Sequence, residues 1–175
     1  MTAMPISLGL LFIFLYILLI VYFFYTVVAI IRGAPPIPSL SSTVERMMRL
    51  AEIKPGESLI DLGSGDGRIL FAASKHGAEC LGIEINPLLV WVTRFRAWAT
   101  GASKVTVRRT NLWKVDVGAA DVITVYMVPM YMRKLQEKLK SEMKPGSRIL
   151  AAVHPFPDWE PTAQEENVFV YRLPG

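Results

Sequence analysis

The residues best placed to do chemistry stand in a glycine loop, Asp61-Leu62-Gly63-Ser64-Gly65-Asp66-Gly67, at the end of the apolar run 58–62. Glycines at this density let a main chain adopt angles closed to other residues and approach a ligand closely. Two familiar ligands fit poorly. A Walker loop needs four residues between its glycines and then Gly-Lys-Ser/Thr, whereas Arg68 and Ile69 follow Gly67 here. A dinucleotide fingerprint needs Gly-x-Gly-x-x-Gly, and the third glycine comes one residue early. Asp61 and Asp66 would also repel a pyrophosphate. They favour a ligand that carries positive charge.

Glu84 and Asn111 extend the site. Glu84 closes the second strand, at about the twenty-residue distance from the first glycine at which an acid meets ribose hydroxyls. Asn111 follows the third strand and could bond an adenine edge while Leu112 packs its face. Each has a plainer explanation: Glu84 as an acid favoured at a helix N-terminus, Asn111 as a turn residue. In register on one α/β frame they make a nucleoside site. S-adenosyl-L-methionine is a nucleoside with an ammonium, a sulfonium and no phosphate. Asp61, Gly63, Ser64, Gly65, Asp66, Gly67, Glu84, Asn111 and Leu112 are therefore the expected cofactor residues. Tyr126, Val128 and Pro129, at the end of the fourth strand, are the expected mouth for the acceptor. His154 is a candidate base, but no residue is assigned a catalytic role. Cys80 sits in the apolar run CLGI and reads as a buried small hydrophobe. The histidines, His76 and His154, are too few and too scattered to expect a metal site.

These residues need a frame that brings them together. Helical spacing of Val44, Met47, Met48 and Ala51 predicts a helix over 43–53, capped by Ser42 or Thr43. Strands are predicted over 58–62, 79–84, 104–109, 121–127 and 147–153, with helices between them after the glycine loop, after Asn86-Pro87 and over 130–143. Such alternation implies a parallel sheet covered on both faces, with the ligand beyond the carboxyl ends of the strands. The expected fold is α/β: a Rossmann-like sheet of order 3-2-1-4-5, plus one short terminal strand over 168–172.

Ahead of this frame, residues 8–31 contain no charge and no proline. As a helix they would measure about 36 Å, enough to cross a hydrocarbon core of about 30 Å. The stretch is too long and lacks the basic n-region of a cleaved signal peptide. The expected division is a transmembrane helix over 8–31, a Pro/Ser-rich linker over 32–42 and a catalytic domain over 43–175. Every charged residue lies after Ile31, and Arg32, Arg46, Arg49 and Lys54 follow the span, so the domain is expected on the cytoplasmic side. Lys and Arg number 19 against 15 Asp and Glu, an excess that anionic head groups would attract. Nucleic acid is not expected as a partner, since no basic stretch is read as interleaved with stacking aromatics.

DLGSGDGRI, IEINP, NLW, VPMYM and HPFPDW together resemble class I S-adenosylmethionine-dependent methyltransferases. More narrowly they resemble the small membrane-anchored protein-lysine methyltransferases of mitochondria, which act on the adenine nucleotide translocase and the ATP synthase c-subunit, and their prokaryotic relatives. The resemblance covers nearly all of residues 39–171. It implies that Asp61 and the glycine loop line the methionine end, with Glu84 on the ribose and Asn111 near adenine. Two departures stand out. Asn111 takes a place where such relatives often have aspartate, and too few residues follow the fifth strand for a helix and two more strands. The site is accordingly expected to lie flat and uncapped. Three activities fit: methylation of lysines in membrane-associated proteins, methylation of a lipid amine, quinone or isoprenoid, and cofactor binding without catalysis.

Overall fold

The computed structural model describes residues 6–33 and 39–174. Twelve helices and strands follow in order: α1 Ile6–Ile31, α2 Ser41–Ala51, β1 Ser58–Leu62, α3 Arg68–Lys75, β2 Glu79–Glu84, α4 Pro87–Thr100, β3 Val105–Arg109, β4 Val122–Val125, α5 Pro129–Glu142, β5 Arg148–Ala152, β6 Ala163–Glu165 and β7 Val168–Arg172. A 3-10 turn, Leu112–Lys114, links β3 to β4.

The strands form one sheet of order β3-β2-β1-β4-β5-β7-β6, parallel from β3 to β5 and antiparallel at β7 and β6. Alternation along each strand separates two cores. Leu59, Val122 and Leu150 pack with Met47 and Ala51 of α2 and Leu70 of α3. Ile60, Ile123 and Ile149 pack on the other face with Met132, Leu135 and Leu139 of α5. Burial on both faces explains the nearly unbroken apolar strands.

The terminal strand is one of two. Sequence reading expects a single strand after β5; in fact β6 pairs with β7 across a tight turn in which Glu166 takes a left-handed φ of 49°. Three residues with largely exposed side chains leave no hydrophobic alternation to read. Arg46 of α2 holds the hairpin through Glu166 at 2.6 Å and Asn167 at 3.2 Å. The start of α2 also differs from expectation. Its N-cap is Leu40, without a side-chain bond, so neither Ser42 nor Thr43 caps it and the helix begins at Ser41. By contrast, Asn86 caps α4 through Leu88 N–H, with Pro87 at the first helical position.

Close contact between α3 and β2 depends on Gly82, where an added Cβ would lie 2.6 Å from both Leu70 Cδ1 and Ser64 Oγ. Gly82→Ala should therefore cost about 1–3 kcal/mol through overpacking. Chemical denaturation monitored by circular dichroism should show a lower midpoint with an unchanged slope.

Candidate active site

β1 delivers the chain into a loop in which Gly63, Gly65 and Gly67 all have positive φ, at 90°, 54° and 78°. The amides of Gly63 and Ser64 both donate to the carbonyl of Ile83, which fastens the loop to β2. The glycines then divide the labour. A Cβ on Gly65 would meet nothing, so that position leaves open space for a ligand. A Cβ on Gly67 would lie 2.8 Å from Thr93 and 3.1 Å from Phe71, so Gly67 permits α4 to pack against α3 and does not line the cavity.

Glu84, at the end of β2, is nearly enclosed. Its carboxylate accepts from the backbone N–H of Gly65 at 2.9 Å and from those of Ile85 and Asn86 at 2.8 Å each. Burial raises its pKa, and these three donors pull it back. Asp61 is buried on the adjacent strand and accepts from the Thr124 hydroxyl at 2.9 Å. Burial first, then the neighbouring charges of Glu84 and Asp66, push the Asp61 carboxyl up to about 7 against the opposing Thr124 bond. Asp66 behaves differently: Arg68 pairs with it at 2.7 Å and holds its pKa below the ordinary value. Arg68 also donates to the Ser39 carbonyl at 2.5 Å, so Asp66 clamps the chain ahead of α2 and its charge is already matched.

Asp61, Gly63, Ser64, Gly65, Asp66, Glu84, Asn111, Leu112 and Tyr126 all line one cavity at the carboxyl edge of the sheet. Asn111 lines the cavity, and its Oδ1 accepts from Trp113 N–H at 3.2 Å, capping the 3-10 turn. Besides Gly67, three candidates stand off the wall. Val128 and Pro129 lie beneath the exit of α1, where Val128 N–H donates to the Gly33 carbonyl at 2.9 Å. His154 stacks on Tyr126 at 6.2 Å between ring centroids and lies outside the lining. Cys80 is buried and its thiol is pushed up to about 12, chiefly by desolvation, which makes it inert.

The site is not flat. Tyr22, Tyr25, Thr26, Ala29 and Arg32 of the N-terminal segment line the same cavity. α1 is docked by Tyr25, whose hydroxyl accepts from Arg109 at 2.6 Å, and by its last carbonyls, which accept from Tyr131 Oη and Trp113 Nε1. Within the expected linker, Gly33 is held by Val128 and Ser39 by Arg68, while residues 34–38 lie outside the described residues. An apolar span reads as lipid-facing throughout, which hid this wall. Tyr22, Tyr25 and Thr26 were the available signal, but such residues equally suit a membrane interface.

The cavity fits a polar, cationic nucleoside. Thr26 Oγ1, Ser64 Oγ and Asn86 Nδ2 are buried without hydrogen-bond partners, and each belongs to a lining residue. Orphaned groups of this kind call for a partner. Asp61 and Glu84 supply the negative charge.

Sheet order, glycine loop and the acid ending β2 define a class I S-adenosylmethionine-dependent methyltransferase domain. Residues 61–163 match the family model described as the ANTKMT methyltransferase domain, and the chain belongs to that family. It is 40% identical over 128 residues to the mouse lysine N-methyltransferase of the ATP synthase c-subunit, an alignment that takes in 73% of this chain and 51% of that protein. It is 35% identical over 147 residues to mouse adenine nucleotide translocase lysine N-methyltransferase, covering 81% and 64% respectively. The chain thus spans about half to two-thirds of the length of these relatives. A solved RNA methyltransferase from Salinibacter ruber, in complex with S-adenosyl-L-homocysteine, superposes with a TM-score of 0.74 at 35% identity, covering 79% of this chain and 94% of that one. S-adenosyl-L-methionine is accordingly the cofactor.

Two outcomes test the site. Glu84→Ala removes three charge-assisted backbone bonds and should weaken cofactor binding at least about tenfold by titration calorimetry, about 1.4 kcal/mol. Asp61 makes the unliganded protein sensitive to pH. Its folded pKa lies above its unfolded value, so the folded state holds the extra proton between them. Stability from this group should fall as pH rises from about 4 to about 7 and then level off. Asp61→Asn should flatten that part of a melting-temperature profile.

Proposed function

We propose that this chain is a membrane-anchored S-adenosylmethionine-dependent protein-lysine methyltransferase, held against the membrane by α1 with its domain on the cytoplasmic side. One observation carries the reading: the last turns of α1 form a wall of the cavity that contains Asp61 and Glu84. Residues 7–31 are long and apolar enough to cross a bilayer. A site walled by the end of such a helix opens where a loop of a membrane protein meets the aqueous phase. The names of the two mouse relatives support lysine as the acceptor.

S-adenosyl-L-methionine supplies a methyl group made electrophilic by its sulfonium. The chain's own residues hold, orient and screen. Glu84 keeps Gly65 and the start of α4 in place and has lone-pair capacity left for ribose hydroxyls. Asp61 offers a desolvated negative charge to the cationic end. Asn111 and Leu112 are placed for the adenine. A lysine amine attacks only when neutral, so its proton leaves to solvent before the carbon–nitrogen bond forms and the carbon–sulfur bond breaks. Tyr126 lines the cavity and is suited to orient that amine. Alignment of donor and acceptor, worth up to about 7–11 kcal/mol, can supply much of the acceleration without a general base in the chain.

The test gives purified full-length protein methyl-tritiated S-adenosyl-L-methionine and membranes from cells lacking its gene, then separates protein, lipid and RNA. Label in protein, recovered as methyl-lysine after hydrolysis and lost with Glu84→Ala, is the expected result. Label confined to the lipid extract would replace lysine by a lipid amine, quinone or isoprenoid. Label confined to RNA would reject both.

A further inference from the structure

The geometry points to a second membrane-contacting surface: we propose that the outer face of α4 and the adjoining β3 edge lie on an anionic lipid bilayer. This rests on the proposed insertion of α1 and goes beyond it, because an anchor alone does not say which side of a domain faces the lipid.

The direction of α1 settles which edge meets the membrane. Gly33 is bonded at the end of β4 and Tyr25 at the end of β3. From Tyr25 to Gly33 the eight residue steps rise about 12 Å at the helical rise, close to the roughly 14 Å that three strand spacings cover. The end of α1 therefore runs across the carboxyl edge of the sheet, from β4 past β1 and β2 to β3. Residues 7–21, ahead of the cavity-lining Tyr22, continue beyond the domain for about 22 Å, most of a hydrocarbon core of about 30 Å. The bilayer surface must then pass close to the β3 edge.

That edge is built for it. Trp91, Phe95 and Trp98 stand 65%, 52% and 77% exposed on α4. Their spacing of four and three residues places them in one stripe, with ring centroids 5.6 and 5.7 Å apart. Residues 85–115 carry Arg94, Arg96, Lys104, Arg108, Arg109 and Lys114 and no acid, a local charge of +6 in a chain whose net charge is +4. The remainder of the chain is therefore net negative, and the excess positive charge falls in the segment that carries the aromatic stripe, with Lys104 paired to Glu79 at 3.2 Å. Amphipathic aromatics flanked by arginine are the composition of an interfacial helix.

The same stripe corrects the expectation that aromatics and basic residues do not interleave, since Arg94 and Arg96 alternate with Trp91, Phe95 and Trp98 along the sequence, although Arg94 bonds the Val107 carbonyl and Arg96 lies over Phe71. RNA is nonetheless the poorer occupant. Trp91 and Phe95 stack on each other at an interplanar angle of 11°, so each has one face already used, whereas base recognition needs free faces.

The experiment reconstitutes the full chain in phosphatidylcholine–phosphatidylglycerol vesicles containing lipid brominated at the 6,7 positions of an acyl chain. Chains retaining only Trp91, only Trp98 or only Trp159 are made by Trp→Phe replacement, and cofactor binding verifies their folding. Brominated lipid should quench Trp91 and Trp98 emission at least twofold and leave Trp159, which packs on Phe156 and Tyr171, within a tenth of its starting value. As a check free of triple replacements, quenching of the wild-type chain should fall by at least half in Trp91→Phe/Trp98→Phe. If the protein floats with vesicles but neither tryptophan is quenched, α4 does not face lipid and this surface is rejected while the anchor stands. Failure to float would reject both. Trp91 and Trp98 quenched by an RNA oligonucleotide and not by brominated lipid would assign the face to nucleic acid instead.

Discussion

Glu84 occupies the point at which three elements meet, and its carboxylate accepts a backbone N–H from the glycine loop and two from the start of α4. A loop with three left-handed glycines has little intrinsic reason to keep one shape, because glycine loses more freedom on ordering than any other residue. Charge-assisted bonds from a buried acid supply that reason. Burial raises the pKa of both Glu84 and Asp61, and the charge of Glu84 raises that of Asp61 further. The apo site is therefore electrostatically uncomfortable. A cationic ligand relieves what the fold imposes, which links the architecture of the loop to the choice of cofactor.

The second constraint comes from outside the domain. α1 is apolar for 25 residues, yet its last turns lie on protein, with Tyr25 held by Arg109 and the terminal carbonyls by Tyr131 and Trp113. The end of α1 and the site are consequently one unit. If α1 is inserted as proposed, its place on the cavity wall favours substrates carried close to a membrane over free solutes.

Much of this was legible in the chain. The apolar runs of β1, β2 and β4, the glycine spacing and the Asn86-Pro87 cap each express a local rule, and each element appears where that rule places it. What escaped was non-local. β6 has only three residues and exists because β7 and Arg46 hold it. Asp66 lines the cavity, but its ion pair with Arg68, and that arginine's bond to Ser39, could not be read from the loop alone. Val128 and Pro129 looked open because nothing in their own segment reveals that Gly33 docks there. Gly67 shares the loop's spacing with Gly65, but only the approach of Thr93 separates a packing glycine from a ligand-facing one.

A buried Asp61 that holds its proton at mildly acid pH becomes fully charged when the cationic cofactor binds. Calorimetric titration of S-adenosyl-L-methionine in buffers of differing ionisation enthalpy measures the protons exchanged. With the Asp61 carboxyl at about 7, close to one proton should be released per site at pH 6 and far fewer at pH 8, as its protonated fraction falls from about 0.9 to about 0.1. Asp61→Asn should abolish the release. Binding at pH 6 with no proton released, or with proton uptake, would contradict the account.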